Sequence, residues 1–508
     1  MRYLFLILLI FIFSCKKDSD IITTNNGDFV SFSVDTLLFD TIFTTIGSTT
    51  RYLKVYNNYN DDITINSIGL AKGSNSSFQL NIDGDANHTI ENKLLRNGDS
   101  LYIFAEVTID PNGMDTAYIE QDAIVFDFNN NIQYVDLVAW GRDAYYHSST
   151  PDFQQGLSNN LDSMLYSDFF TSIPNELINE YFYYYSINQN TTWSNNKPHV
   201  IYGDVIVENG ATLEIEPGAE IYLHNNAWLI VDELSSLQAI GTKDKKIIFQ
   251  SDRVDSHSII DYANTPGQWG KIWILPGSIN NKLEWTKLKN GKTGIHVDGL
   301  NDISLLPNTP MLEIKNSEIF NMSEIGILGQ GTKISAENLL IYNCGIHLLA
   351  LNIGGDYDFK HCTFANFWPF TSRQTPSIFL NNYYEDIDGN IINRDLVQAS
   401  FGNCIIDGSN ENEIFFDQSQ DALFNYNINN SLLKLTQNYW QDWTNAFFEG
   451  NMLSEDINFL DYEIFDFELD SNSLAIDTGS EIIAQEVPED LNGFNRQANP
   501  DMGCYEKQ

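Results

Sequence analysis

From residue 199 to residue 250 apolar residues fall at alternate positions in short runs: Val205 and Val207, Leu213 and Ile215, Ile221 and Leu223, Leu229 and Val231, Ile247 and Phe249. Turn chemistry at Asn209-Gly210, Pro217-Gly218 and Gly241-Thr242 ends each run before a helix could form. Period two places the apolar members on one face of a strand, and strands this short suit a coil in which each pairs with its equivalent in the next turn. Superposing later segments gives the repeat. Leu312 to Asn321, Ile334 to Asn343 and Tyr357 to Asn366 align with Asn316, Asn338 and His361 in equivalent places, 22 and 23 residues apart, which is one turn of a solenoid. A fourth copy, Ala399 to Asp407, follows a single insertion at 369–394.

Stacked about 4.8 Å apart, Ile319, Ile341, Phe364 and Ile406 are expected to form an inward ladder, as are Ser317, Leu339, Cys362 and Cys404. Asn321, Asn343 and Asn366 are expected to form an asparagine ladder at a turn, each amide bonding the next. About ten coils fit between residues 200 and 470. The stretch from Ala211 to Leu223, the strand Gln268-Trp269-Gly270-Lys271-Ile272 and the run from Lys246 to Asp252 resemble right-handed parallel β-helix proteins of the pectate-lyase-like superfamily. That resemblance covers roughly 193–470 and identifies architecture, not activity.

From Phe29 to about Asp143 longer alternating strands appear, among them Arg51 to Asn57, Leu101 to Val107, Ala123 to Phe126 and Gln133 to Gly141. Strands at this spacing predict a β-sandwich. Phe39-Asp40-Thr41, Leu53 to Asn57, Gly98-Asp99-Ser100-Leu101, Val107 to Pro111 and Val135 to Gly141 resemble, in that order, immunoglobulin-like domains of the abnormal-spindle/hydin type. Such domains are spacers or binding modules. Residues 144–192, rich in tyrosine, are expected to cap the open end of the coil, since an uncovered end exposes strand edges. Ser473 to Gly479, Asp490 to Arg496 and Pro500 to Glu506 resemble the closing element of bacterial surface β-helix proteins; Asp490 with Arg496 and Asp501 with Glu506 are expected to bond as a cap on the last coil. The fold class is therefore all-β: an Ig-like β-sandwich over 28–143, a cap at 144–192, a right-handed parallel β-helix over 193–470 and a capping element at 471–508.

At the start, Met1-Arg2 precedes an apolar run, Tyr3 to Phe13, too short to span a bilayer. With Ser14-Cys15 it resembles a bacterial lipoprotein signal, residues 1–15, in which Cys15 takes the lipid. Lys16-Lys17-Asp18-Ser19-Asp20 resembles the signal that sends Bacteroidetes lipoproteins to the outer face of the outer membrane. Residues 16–27 read as a polar tether. The chain carries 69 acidic and 27 basic residues, a formal charge of −42, which excludes nucleic acid as a partner and disfavours anionic lipid. Membrane attachment is expected through the lipid alone. Cys344, Cys362, Cys404 and Cys504 have no zinc spacing and are expected as free core cysteines.

Inverting hydrolysis needs paired carboxylates across a groove, and lyase chemistry needs a base beside a uronate; the polygalacturonase motifs and pectate-lyase-like calcium and arginine clusters are absent from the sequence. The remaining candidates are weak. Asp356 and Asp358 are acidic, and Asp386, Asp388 and Asn390 resemble part of a calcium loop, so no cofactor is evident and Ca²⁺ is the one to test. Trp368, Tyr383 and Tyr384 are the candidate ligand-binding aromatics; Trp269, Trp273, Trp285, Phe367 and Phe370 read either as a sugar-binding strip or as packing. His296, His347 and His361 fall in different parts of their coils, and His361 reads as a hydrogen-bonding turn residue. The expected function is a surface-anchored binding or adhesive module for an extracellular glycan or an envelope protein, with a carbohydrate-active enzyme as the alternative.

Overall fold

The computed structural model describes residues 28–43, 48, 50–109, 118–149, 161–165, 181–254, 261–300, 309–386, 388–436, 448–453, 457–496 and 498–508. Cys15 and the tether lie outside them. The chain divides into two compact units, 1–143 and 144–508.

The first unit is a two-sheet β-sandwich. One sheet has the order Ser31–Phe32, Arg51–Tyr56, Ser100–Val107, Phe78–Ile82, and the other Thr36–Phe43, Asn131–Arg142, Tyr118–Phe128, Ile63–Leu70, Thr89–Leu95. Thr36–Phe43 runs parallel to Asn131–Arg142, with a register shift between Phe39 and Thr41, while the other pairs are antiparallel. Alternation decides the faces: Leu53, Val55, Ile103, Val135 and Leu137 are buried in one core, and Tyr52, Tyr102 and Phe104 point outward.

The second unit is a parallel β-helix with three ladders. The first ladder pairs Thr191–Trp193, Thr212–Ile215, Ser236–Ile240 and Asn281–Glu284 and continues to Phe448–Glu449, ten strand levels in all. A second ladder starts at Tyr145–Ser148 and ends at Met452–Leu453. The third runs from Tyr181–Ile187 through Val205–Val207, Trp228–Val231, Lys271–Ile274, Thr293–Asp298, Ile325–Gln330, His347–Asn352 and Ile378–Asn381 to Ile414–Asp417. All ten apolar residues of the opening pattern are buried, none more than 3% exposed. The inward ladder forms as expected, Ile319 on Ile341, Phe364 and Ile406, and extends back to Leu288 and Phe249 and on to Leu433. The four described cysteines are buried and free; burial pushes the Cys344 and Cys504 thiols up to about 12.

Four expectations change in detail. Residues 144–192 do more than cap: Tyr145–Ser148, Tyr181–Ile187 and Thr191–Trp193 supply the first strand of every ladder, and Leu161–Leu165 closes the third by antiparallel pairing. The alternation was hidden because Tyr181 and Tyr183, on the face that Tyr185 turns to the core, are exposed, while Phe182 and Tyr184 on the other face are buried with Ile206 and Ile230. The asparagine row forms one step earlier than expected: Asn321 donates to Asn290 (2.7 Å), its equivalent in the preceding coil, whereas the Asn343 carbonyl accepts from the Phe367 amide (3.2 Å) and that of Asn366 from the Cys344 amide (3.0 Å), so these two serve chain turns. Side-chain bonding occurs also where one or two residues join the first ladder to the second. Trp285, Asn316, Asn338, His361, Asn403 and Asn430 all adopt the left-handed conformation there, φ between 47° and 52°, which asparagine tolerates better than most residues. Asn338 donates to Asn316 (2.9 Å), and His361 Nε2 meets Asn403 Nδ2 at 2.9 Å.

The insertion is two insertions, a loop at 367–377 and a hairpin built on Tyr383–Glu385 and Ile391–Asn393, with the third-ladder strand Ile378–Asn381 between them. Finally, the C-terminal element lies along the flank rather than across the end. Outward Leu340, Tyr342, Ala365, Ile405 and Leu432 of the second ladder bury against Phe459, Phe467, Leu469, Ala475, Leu491, Met502 and Cys504. Of its two expected polar pairs, Asp501 with Glu506 bonds and Asp490 takes other partners than Arg496. Arg496 pairs with Glu506 (3.2 Å) and donates to Asn338 (2.7 Å); Asp490 accepts from the amides of Asn492, Phe494 and Glu506; and Glu506 accepts from the Asp501 amide.

Candidate functional site

The outer face of the third ladder carries an organised set of side chains, mostly half-buried, with His296 and Ala350 buried and Phe415 exposed. Because Ile272, Ile274, Ile295, Val297, Ile327, Leu351 and Leu380 point into the core, their neighbours must point out. Two outward columns follow from the register. One is Trp273, His296, Leu328, Ala350, Phe379, Phe415; the other is Asp298, Gln330, Asn352, followed by Asn381 and Asp417. Five strand steps make the first column about 24 Å long.

At the N-terminal end of this face the side chains are wired together. Lys271 Nζ donates to His296 Nδ1 (2.8 Å), which leaves the proton on Nε2, facing Asp298 Oδ1 at 2.8 Å and Gln330 Oε1 at 3.3 Å. Asp298 Oδ2 accepts from the Trp273 indole (2.8 Å). The imidazole stacks on Trp273, centroids 5.3 Å apart and planes 5° from parallel, and Trp228 meets Trp273 edge-on at 5.5 Å. Lys271 Nζ lies 3.8 Å from the Trp273 ring centre and 5.0 Å from that of Trp228. Burial lowers the lysine to about 8, against the pull of Asp298 and Glu324. Gly270 makes room for this arrangement, since a Cβ there would overlap the Trp228 indole.

At the far end His347, Phe379 and Phe415 stack at 5.5 and 6.0 Å, and the Tyr383 hydroxyl donates to Asp417 (2.7 Å). The hairpin thus brings Tyr383 to this face. Tyr384 lies under the Arg394 guanidinium. Trp368 stands in the loop that enters Ile378–Asn381, at the other end of that strand, packed on Phe370 (4.9 Å) and donating to Thr371. Asp386, Asp388 and Asn390 share the hairpin turn, where Asp386 Oδ1 accepts from the amides of Asp388 (3.0 Å) and Asn390 (2.8 Å). These bonds, led by Asn390, hold that carboxyl below its usual range. Among the described residues no group of three or more His, Cys, Asp or Glu side chains could hold a metal ion.

Asp356 and Asp358 do not reach the face; they pair with Lys333 (2.8 Å) and Lys360 (2.9 Å) on the first ladder. Trp269 is buried core with its indole on Lys289 O, and Trp285 is a turn residue. Phe367 stacks on Tyr462. His361, buried, bonds in its turn as expected. A separate polar cavity of about 260 Å³ lies by His224, Asp252, Arg253, Tyr262 and Gln268. Sequence reasoning missed Lys271, Asp298 and Trp228. The available signal was Lys271-x-Trp273 followed 25 residues later by His296-x-Asp298, two outward pairs on consecutive third-ladder strands.

Known proteins resemble parts of this chain. No curated protein matches it. Among solved structures, the catalytic unit of a GH87 α-1,3-glucanase from Streptomyces thermodiastaticus is similar at 10% identity over 75% of this chain and 79% of that one, TM-score 0.20. The ASH / PapD-like domain of human CEP192 is similar at 10% identity over 22% of this chain and 84% of that one, TM-score 0.15. A protein of unknown function from Porphyromonas gingivalis W83 is similar at 13% identity over 27% of this chain and 62% of that one, TM-score 0.17. Residues 185–299, which include Trp228, Lys271, Trp273, His296 and Asp298, match the family model of the pectate-lyase like β-helix domain.

Proposed function

We propose that this chain is a bacterial surface lipoprotein, lipidated at Cys15 and held at the outer membrane, in which an Ig-like sandwich carries a β-helix that binds an extracellular glycan. The observation that carries the glycan reading is the third ladder's outer face, where an aromatic and apolar column runs beside a column of Asp298, Gln330, Asn352, Asn381 and Asp417. Sugar rings present an apolar face to aromatic side chains and hydroxyls to carboxylates and amides, so paired columns suit an extended chain lying along the coil axis. The formal charge of −42 favours a neutral glycan over a polyanion.

The test is retention of the mature chain in native gels cast with neutral and with acidic polysaccharides, with and without calcium. Retention by a neutral polysaccharide, weakened about tenfold in Trp273→Ala, is the expected result; equal retention of the variant sinks this face as the site. A second reading, a carbohydrate-active enzyme, is favoured by Lys271, whose lowered basicity and bond to His296 suit it to take a proton near neutral pH. New reducing ends, or the absorbance of unsaturated uronates, abolished in Lys271→Met would establish that reading instead.

A further inference from the structure

The sandwich unit carries a surface that the β-helix reading does not use. On the four-stranded sheet, Arg51–Tyr56 pairs with Ser100–Val107 so that Tyr52 lies opposite Phe104 and Lys54 opposite Tyr102, and Phe104 in turn lies opposite Asn81 of Phe78–Ile82. All of these point away from the core. Tyr52, Tyr102 and Phe104 are 42%, 39% and 38% exposed, too much for rings placed only to be buried. They form one patch: Tyr102 and Phe104 lie 6.1 Å apart and 13° from parallel, and Tyr52 lies 5.9 Å from Tyr102 and 6.2 Å from Phe104. Lys54 sits 4.6 Å from the Tyr102 ring centre, and outward Gln79, Asn81 and Glu106 border the rings.

Composition and charge select the occupant. Protein-interface cores are also rich in rings, but here every ring is flanked by hydrogen-bonding side chains and no aliphatic side chain stands among the outward positions of these central strands, the lining that a sugar's apolar face and hydroxyls need together. The patch holds one lysine and one glutamate, so it has no net charge to attract an ion, and the chain's −42 repels polyanions and anionic membranes. Rings flanked by amide, ammonium and carboxylate groups fit a neutral, polyhydroxylated ligand. We propose that the outer face of the four-stranded sheet is a second glycan-binding surface, on which neutral pyranose rings stack on Tyr52, Tyr102 and Phe104 while Lys54, Gln79 and Glu106 bond their hydroxyls. This surface stands independently of the third-ladder face.

The experiment uses the full mature chain in native affinity gels containing laminarin, yeast mannan, arabinoxylan or galactan. Four proteins are compared: the parent, Tyr52→Ala/Phe104→Ala, Tyr52→Phe/Tyr102→Phe, and Trp228→Ala/Trp273→Ala. The expected result is that at least one polysaccharide retards the parent, that removing two rings weakens this about a hundredfold, on the order of tenfold per ring, and that the double phenylalanine variant, which keeps the stacking faces, loses less than tenfold. Retardation that is as strong in Tyr52→Ala/Phe104→Ala as in the parent for every polysaccharide that retards the parent overturns the proposal, as does failure of all four polysaccharides to retard the parent. The tryptophan variant reads the β-helix site alone, so loss there with the sandwich variants unaffected would sink this surface and leave the third-ladder face standing. The altered rings are exposed, so unchanged circular dichroism and melting are expected for every sandwich variant, and a shifted melt in Tyr52→Ala/Phe104→Ala transfers the decision to Tyr52→Ala alone.

Discussion

Acidification from pH 7 to pH 5 will loosen the first coils of the β-helix, and two histidines set the size of the effect. His147 and His199 lie on paired second-ladder strands, their rings 5.2 Å apart and 6° from parallel, with Trp193 stacked on both at 4.3 and 4.9 Å. His199 Nε2 donates to Ser194 O (2.9 Å), so its Nδ1 accepts, and it accepts from His147 Nε2 at 2.9 Å. Both rings are therefore neutral donors, and a third proton could sit only on His147 Nδ1, which is buried with no partner among the described residues to receive its hydrogen bond. Burial, with Ser194 O opposing, lowers His199 to about 4; burial first and His199 second push His147 well below its ordinary value. The sign follows from proton uptake. Near pH 5 the unfolded chain protonates both imidazoles and the native state neither, so this stability is present above about pH 6.5 and is lost as pH falls toward the folded values. From pH 7 to pH 5 each histidine costs about 2 kcal/mol and the pair about 4 kcal/mol. Hydrogen exchange reads it locally, through the amides of Tyr145, bonded to Pro198 O, and Ser149, bonded to Tyr202 O. After correction for intrinsic rates, their opening free energy should fall by most of that amount, Asp204 in the same coil returning part of it because burial raises its carboxyl to about 6, and by about 2 kcal/mol less in His147→Leu. A fall below about 1 kcal/mol in the parent, or the same fall in the variant, refutes the neutral-pair argument.

Two further outcomes rest on packing. Arg373 and Glu413 form a fully buried pair (Nη2 to Oε1, 2.6 Å) in which Glu413 also accepts from Ser377 and Asn410; Glu413→Gln should cost about 3–5 kcal/mol in urea unfolding, and a loss under about 1 kcal/mol would mean water or a rearranged partner replaces the charge. Gly270→Ala should displace the Trp228 indole at a cost of about 1–3 kcal/mol and weaken polysaccharide retention, while an unshifted tryptophan emission spectrum would show that the ring had not moved.

The inward ladder was legible in the sequence because two regularities fix it: period two chooses the face and the 22 to 23 residue repeat chooses the register. Ile319, Ile341, Phe364 and Ile406 satisfy both. The third-ladder face satisfies only the first. Lys271 meets His296 because Lys271–Ile274 pairs with Thr293–Asp298, but strands of this ladder are joined through coils of unequal length, so no constant spacing announces which outward residues align. The asparagines misled because two left-handed turn positions lie close together in each coil, Asn316 and Asn321 in one, Asn338 and Asn343 in the next; at the first position Asn338 bonds Asn316, while at the second the row stops after Asn321 and Asn290. In the C-terminal element the motif residues were visible, but not their docking surface. Leu340, Tyr342, Ala365, Ile405 and Leu432 interrupt an otherwise inward-only pattern with apolar residues pointing out, and that excess was the available sign of a covering layer.

That layer also changes how the solenoid must be assembled. A stack whose turns touch only their neighbours can grow turn by turn from the ribosome and fray from either end. Here Asn338 donates to Glu489 O across 151 residues, His361 meets Gly503 across 142 and Thr363 meets Cys504 across 141. The later turns therefore remain incompletely bonded until the last residues of the chain arrive. Contact order rises accordingly, and the half of the coil beneath the layer becomes a single cooperative block, slower to form than the earlier turns and released as a unit rather than unzipped.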